Sequence, residues 1–218
     1  MIVLGLTGSI GMGKSTAAMT LRRLRLPVFD ADHVVHRLLA PGGGAVERVV
    51  GVFPGVRAAN GGIDRSLLGQ RVFGDPGGLS RLERIIHPMV EAREKQFRAH
   101  ARARREPIVV LDIPLLFESG SECRCDYVLV VSAPMLVQRQ RVLRRHGMTD
   151  KRFAAILSNQ MPDYEKRRRA DFVVPTGLSR GLSLRRLRAI VRLLRAKRLP
   201  VTRLSRYACR ERRRTANA

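Results

Sequence analysis

The chain has 218 residues, 44% of them hydrophobic, enough for one globular domain or for a core domain carrying inserted subdomains. Lys and Arg number 42 against 18 Asp and Glu, and the formal net charge of +24 favours polyanionic partners, from nucleotides to nucleic acid. An aromatic content of 5% and the absence of tryptophan weaken any reading based on base-stacking platforms, and no apolar run reaches the ~20 residues that cross a bilayer.

Much of the basic excess lies beyond Leu184, in keeping with a surface decorated by arginine. The N-terminus opens directly on an apolar strand pattern, without a basic region and cleavage site, so no secretory signal is expected. Cys123, Cys125 and Cys209 form no CxxC pair and have no His at ligand spacing. That argues against a zinc site or a disulfide framework and for a reducing compartment, the cytoplasm.

In chain order, the run 2–7 is short, apolar and β-branched at its start, as a buried parallel strand requires. Residues 14–26 carry Ala17, Ala18, Leu21 and Leu24 at helical spacing. "LPVFD" (26–30) reads as a second strand stopped by the acidic residues of "DAD" (30–32), and "ADHVVHRLLAPGGG" as a helix ending at Pro41. Residues 45–106 read as helical, with breaks at "VFPGVRAANGGID" and "GDPGG". The helix from Leu79 is predicted to stop at "HP" (87–88) and restart with Pro88 in its first turn, where a missing N–H does no harm. "PIVVLDIPLLFE" (107–118) and "DYVLVVSAP" (126–134) are further buried strands, 135–169 is helical and basic, and "ADFVVP" (170–175) is the last strand before a helix over 182–197. Segment 199–218 lacks periodicity and reads as a flexible basic extension.

Five apolar strands alternating with helices imply right-handed crossovers and a parallel sheet covered on both faces, an α/β fold. Ligands of such sheets bind at the carboxyl ends of the strands, here marked by Thr7 and Gly8, Asp30 and Asp32, Asp112, and Ser132.

Residues 8–15 fit G-x-x-x-x-G-K-[ST] at every fixed position, with a strand before and a helix after. Small residues alone would serve a tight β–α turn without a ligand. The full motif in this setting favours a phosphate cradle: inward N–H groups form an anion nest, and the helix N-terminus adds partial positive charge. Lys14 would bridge the outer phosphates and Ser15 would offer an oxygen to Mg²⁺. Asp32 suits a proton acceptor beside the γ-phosphate, or equally a helix cap. Asp112 suits a Mg²⁺ ligand, or a turn residue before Pro114. Arg139, Arg141, Arg144 and Arg145 lie in a basic helical segment, Arg141 and Arg145 at a spacing that shares one face; they suit either a closing arm over ATP or a solvated surface. His87 has no carboxylate orienter in the sequence and suits packing or substrate contact more than catalysis. His33 and His36 lack the spacing of a helical metal pair, and Cys123 and Cys125 read as incidental.

Taken in order, GLTGSIGMGKST, "VFDAD", "RVFGDP", "IIHPMV", "VLDIPLLFE", "QRQRVLRRHGMT", "NQM" and "ADFVVPTG" resemble the dephospho-CoA kinase family over residues 2 to 195. The resemblance implies a P-loop NTPase-type three-layer core with a five-stranded parallel sheet (1–32, 105–137 and 166–198), a helical CoA-binding insertion (33–104) and a small helical lid (138–165). It implies ATP-dependent phosphorylation of the 3′-hydroxyl of dephospho-CoA, with ATP and Mg²⁺ required and no nucleic-acid or membrane partner. Carried over residue by residue, it makes Asp32 the base, with Lys14 and Arg141 also catalytic. ATP contacts fall on Gly11, Met12, Gly13, Lys14, Ser15, Thr16 and Arg145, substrate contacts on Asp32, His87 and Asp112, and Mg²⁺ on Ser15 and Asp112. The chain departs from the family pattern at His146, where an acidic residue often stands, and at Pro175-Thr176, where Asn is frequent. Two rivals use the same features: another small-molecule P-loop kinase, and a nucleic-acid-binding ATPase drawn by the positive charge.

Overall fold

In the computed structural model, which describes residues 1–196, the apolar runs form a five-stranded parallel sheet of order β2-β3-β1-β4-β5. The expected basic extension 199–218 lies outside the described residues. The strands are β1 (Ile2–Thr7), β2 (Val28–Asp30), β3 (Ile108–Asp112), β4 (Tyr127–Ser132) and β5 (Phe172–Pro175). The helices are α1 (Lys14–Arg23), α2 (Ala31–Leu39), α3 (Val46–Val52), α4 (Arg65–Phe73), α5 (Gly78–Ala103), α6 (Met135–Leu143), α7 (Asp150–Ser158), α8 (Asp163–Arg169) and α9 (Arg180–Arg195).

The described residues divide into two compact units, one of Met1–Phe29 with the described residues from Ala101 on, the other Asp30–His100. In the first, the two-residue period of the strands sorts the core. Leu4, Leu6, Ile108, Val110, Leu129 and Val131 join Ala17, Ala18 and Leu21 of α1 with Leu187, Ile190, Val191 and Leu194 of α9 in one apolar cluster. The intervening Val3, Val109, Leu111, Val128 and Val130 are equally buried, so the sheet hides both faces and its strands need no polar alternation. Register is set from outside the ladder by two carboxylates. Asp126 accepts from Val3 N–H at 2.8 Å and Asp171 from Val128 N–H at 2.7 Å, each satisfying a donor at a strand's entry. These registers pair Leu6 with Asp112 and Thr7 with Val130, fixing where the carboxyl ends of β1, β3 and β4 fall.

The second unit is helical around Leu38, Leu39, Val46, Val49, Phe53, Val56, Ile63, Leu68, Val72 and Ile86. Its polar contacts reach from neighbouring turns to the 3.2 Å pairing of Arg65 with His36, 29 positions apart. Asp64 caps α4 through Ser66 and Leu67 N–H, and Arg57 pairs with Glu47 at 2.6 Å, which raises the guanidinium pKa further. The break "VFPGVRAANGGID" holds a single antiparallel bridge between Arg57 and Ile63.

Four sequence expectations change. The helix over 79–103 does not restart at Pro88: α5 runs on as 26 residues with Pro88 inside it. Pro88 is exposed and forfeits one i→i−4 bond, while Leu82, Ile85, Ile86, Met89 and Val90 on either side pack into one cluster and hold both halves helical. The strand expected over 107–118 ends at Asp112, because Pro114 has no N–H to continue the ladder. The first helix ends at Arg23, with Leu24 as cap and Arg25 at φ 60°, a left-handed stop. Finally, α6 ends at Leu143 with Arg144 as cap, so Arg145 lies past the last turn and does not share a helical face with Arg141. Gly147, at φ 71°, turns the chain toward α7.

Candidate active site

The turn from β1 to α1 carries the G-x-x-x-x-G-K-S residues. Thr7, fully buried, donates its hydroxyl to Pro114 O at 2.8 Å and ties this turn to the segment after β3. Gly11 (φ 75°) and Gly13 (φ 88°) both take left-handed backbone. At Gly11 a Cβ would stand 2.6 Å from Val142 Cγ2, so both conformation and space require glycine there. Gly13 is the N-cap of α1 and offers no side chain to the first turn. The N–H groups of Gly11, Gly13, Lys14, Ser15 and Thr16 therefore have no backbone acceptor among the described residues, and Ser15 and Thr16 are exposed. Unsatisfied donors converging at a helix start form an anion site. Met12, by contrast, is buried, with its N–H on Ser9 O and its sulfur accepting from Ala133 N–H.

Lys14 Nζ lies 2.7 Å from Asp112 Oδ1, and Asp112 is only 2% exposed. Asp112 ends β3 opposite Leu6, so the sheet register delivers a carboxylate to the phosphate turn. Removing one partner from a buried ion pair costs about 3–5 kcal/mol, which makes this contact structural as well as chemical. Asp112 and the Ser15 hydroxyl are both hard oxygen donors. No group of three or more His, Cys, Asp or Glu that could hold a metal exists among the described residues. That donor set fits Mg²⁺ arriving with its phosphates and waters, rather than a closed protein cage.

In the second unit the capping role at "DAD" falls to the first aspartate. Asp30 is the N-cap of α2, its Oδ1 accepting from His33 N–H at 3.0 Å. Asp32 sits in the first turn, exposed, with no hydrogen bond among the described residues, so it is not the cap. His87 lies mid-α5, exposed and likewise without a side-chain hydrogen bond.

The arginines part ways. Arg139 makes two 2.9 Å bonds to Asp150 and joins α6 to the start of α7 on the surface. Arg144 and Arg145 are exposed. Arg141 is drawn to the phosphate turn: Nη1 reaches Gly11 O (3.4 Å) and Thr176 Oγ1 (3.2 Å), and Nη2 reaches Thr176 O (2.6 Å).

Sequence reasoning passed over several residues here. Thr176 stands above only as a departure from the family pattern, yet its hydroxyl donates to Met12 O at 2.7 Å. Gln138, 3% exposed, donates to Ile10 O at 2.8 Å, and Gln160 accepts from Ile10 N–H at 3.1 Å. Lys166, fully buried, pairs with Glu118 at 2.8 Å, and the same Glu118 oxygen accepts from Met161 N–H. Gln160 lies in "NQM", Glu118 ends "DIPLLFE" and Gln138 opens "QRQRVLRRHGMT", but nothing in these stretches says which carbonyl or charge each one serves. A cavity of about 670 Å³ opens beside the turn, lined by Ser9, Met12, Ser132, Gln138, Gln160 and Asp163 among others.

A model of the dephospho-CoA kinase family matches residues 2–178. A dephospho-CoA kinase of Paramagnetospirillum magneticum is 58% identical over 198 residues, covering 91% of this chain and 93% of its own. That of Rhodospirillum rubrum is 53% identical over 195 residues, covering 89% and 92%. Among solved structures, a Thermus thermophilus protein superposes with a TM-score of 0.74 at 38% identity, over 87% of this chain and 96% of its own.

Proposed function

The chain belongs to the dephospho-CoA kinase family, and on that premise we propose how its residues divide the work of the reaction. It is an enzyme of the last step of CoA biosynthesis, phosphorylating dephospho-CoA at the expense of ATP. The N–H groups of Gly11, Gly13, Lys14, Ser15 and Thr16 cradle the triphosphate, Met12 shapes the turn from within through its N–H on Ser9 O, and Lys14 neutralises the outer phosphates. Arg141 adds a fixed positive charge at the cradle, and Arg145 meets ATP from the chain beyond α6. Ser15 and Asp112 would hold Mg²⁺, which supplies charge neutralisation to the phosphate oxygens when bound.

The acceptor is the 3′-hydroxyl of dephospho-CoA. Asp32 takes its proton as the oxygen bonds to the γ-phosphorus and the bond to the β-phosphate oxygen breaks, releasing ADP. The observation that supports this role is local: Asp30 does the capping, which leaves the Asp32 carboxylate uncommitted. His87 and Asp112 contact the substrate, segment 33–104 binds the CoA moiety, and 138–165 closes as a lid. The scarcity and spacing of cysteine support action in the cytoplasm; no described helix is long and apolar enough to cross a membrane.

The deciding experiment is an acceptor assay. ADP release is expected with dephospho-CoA and not with AMP, nucleosides or shikimate. Equal turnover with a nucleoside, or activity that appears only with RNA or DNA, would overturn the reading.

A further inference from the structure

An anion nest has two sides. For N–H groups to point at a phosphate, the carbonyls of the same peptides must point away, and each outward carbonyl needs a donor. In this chain three consecutive carbonyls of the phosphate turn find theirs in side chains from distant segments. Ile10 O accepts from Gln138 Nε2 (2.8 Å), Gly11 O from Arg141 Nη1 (3.4 Å) and Met12 O from Thr176 Oγ1 (2.7 Å). Gln138 and Arg141 are three residues apart on α6 and so share a face, with Val142 of the same helix filling the space a Gly11 Cβ would need.

Thr176 is the junction. Its single hydroxyl proton goes to Met12 O, the closest acceptor, while its oxygen accepts from Arg141 and its own N–H continues the β4 ladder to Ser132 O at 2.8 Å. Its side chain also abuts Gly13, whose Cβ would stand 3.2 Å from Thr176 Oγ1. None of these donors belongs to the G-x-x-x-x-G-K-S motif.

We infer that Gln138 and Thr176, with Arg141 between them, are positioning residues: Gln138 and Thr176 hold the carbonyls of Ile10 and Met12 outward and thereby keep the Gly11 and Gly13 N–H groups of the same peptides aimed at the ATP phosphates. Arg141 secures Gly11 O, whose peptide carries the Met12 N–H bound to Ser9 O. This inference rests on the reading of the turn as the ATP site. It assigns Thr176 a role in the phosphate cradle.

The test uses the full chain with Thr176→Val, which keeps shape and removes the hydroxyl, Thr176→Ser, which restores it, and Gln138→Met. Loss of one buried hydrogen bond predicts a KM for ATP raised about tenfold in Thr176→Val and Gln138→Met, with the KM for dephospho-CoA unchanged and Thr176→Ser within about threefold of the parent. Binding of inorganic tripolyphosphate, measured by calorimetry, should weaken by a similar factor, because that probe carries no adenine. Should Thr176→Val fail to fold, Gln138→Met and tripolyphosphate carry the test alone. Unchanged tripolyphosphate affinity in the variants overturns the inference, as does a KM effect on dephospho-CoA alone. If the parent binds tripolyphosphate but does not phosphorylate dephospho-CoA, it is the functional reading that fails.

Discussion

The unit built around the sheet and the helical unit of Asp30–His100 treat their chemically capable side chains in opposite ways. In the first, Lys14 is bonded to Asp112 from 98 residues away, and the phosphate turn is held by side chains 128 to 164 positions distant. In the second, the hydrogen bonds span fewer positions, as caps, turns, the Arg57–Glu47 pair and, 29 positions apart, Arg65 with His36, and the two residues offered as reactive or substrate-binding, Asp32 and His87, are exposed and uncommitted. The difference matches the two tasks. A nucleotide's phosphates need donors whose positions are set before binding, since preorganised dipoles need no rearrangement as charge develops. A base must keep a free lone pair until an acceptor hydroxyl arrives, so a carboxylate already spent on a cap would serve poorly.

The largest expected effects separate these two tasks. Asp32→Ala should lower kcat by about 10²–10⁴ while calorimetry shows ATP binding nearly unchanged. Lys14→Ala should lose both turnover and ATP affinity. The contrast collapses if Asp32→Ala keeps near-normal kcat, or if Lys14→Ala binds ATP as the parent does. An effect of about 1 kcal/mol sharpens it further. Asp30→Ala should destabilise by that amount in urea, Asp30→Asn by a few tenths, and Asp32→Ala by less than about 0.5 kcal/mol. Reversal of that order would return the capping role to Asp32.

The smallest effect concerns the sheet core. Burial pushes the Tyr127 phenol above its ordinary 10.0, and Asp126 and Asp171 reinforce the shift. A raised phenol keeps its proton in the folded chain after the unfolded chain has begun to lose it. Its contribution to stability is therefore complete below pH 10 and is lost as pH climbs through the unfolded and then the folded value. Absorbance titration should show one phenol ionising late, and Tyr127→Phe should remove that late step and flatten the alkaline fall in stability.

The phosphate turn and the strands were readable because their signals are contiguous: the motif occupies eight residues, and each strand is an unbroken apolar run. The same locality misled at Pro88, where a breaker by local rules sits inside a helix kept whole by the packing of its flanks. It left Asp32 of "DAD" open between proton acceptor and helix cap, because only backbone geometry shows that Asp30 takes the cap. Gln138 and Thr176 could not be assigned from sequence, since nothing near them says that a carbonyl more than 120 residues away needs a donor. Long-range polar satisfaction has no periodicity to read.

The central position of β1 has a consequence in time. Ile2 pairs with Ile108 and Leu4 with Tyr127, so the strand that carries the phosphate turn is made first and its neighbours much later. At translation rates of about 5–20 residues per second, roughly 6–25 s separate the synthesis of β1 from that of β4. Residues 30–100 are completed within that interval, and until β3 is made at 108–112 β1 has no strand to pair with. Parallel pairing across such separations is intrinsically slow. The chain's most reactive turn is thus among the last features to take shape, and β1 is the segment most in need of protection from aggregation while the chain is being made.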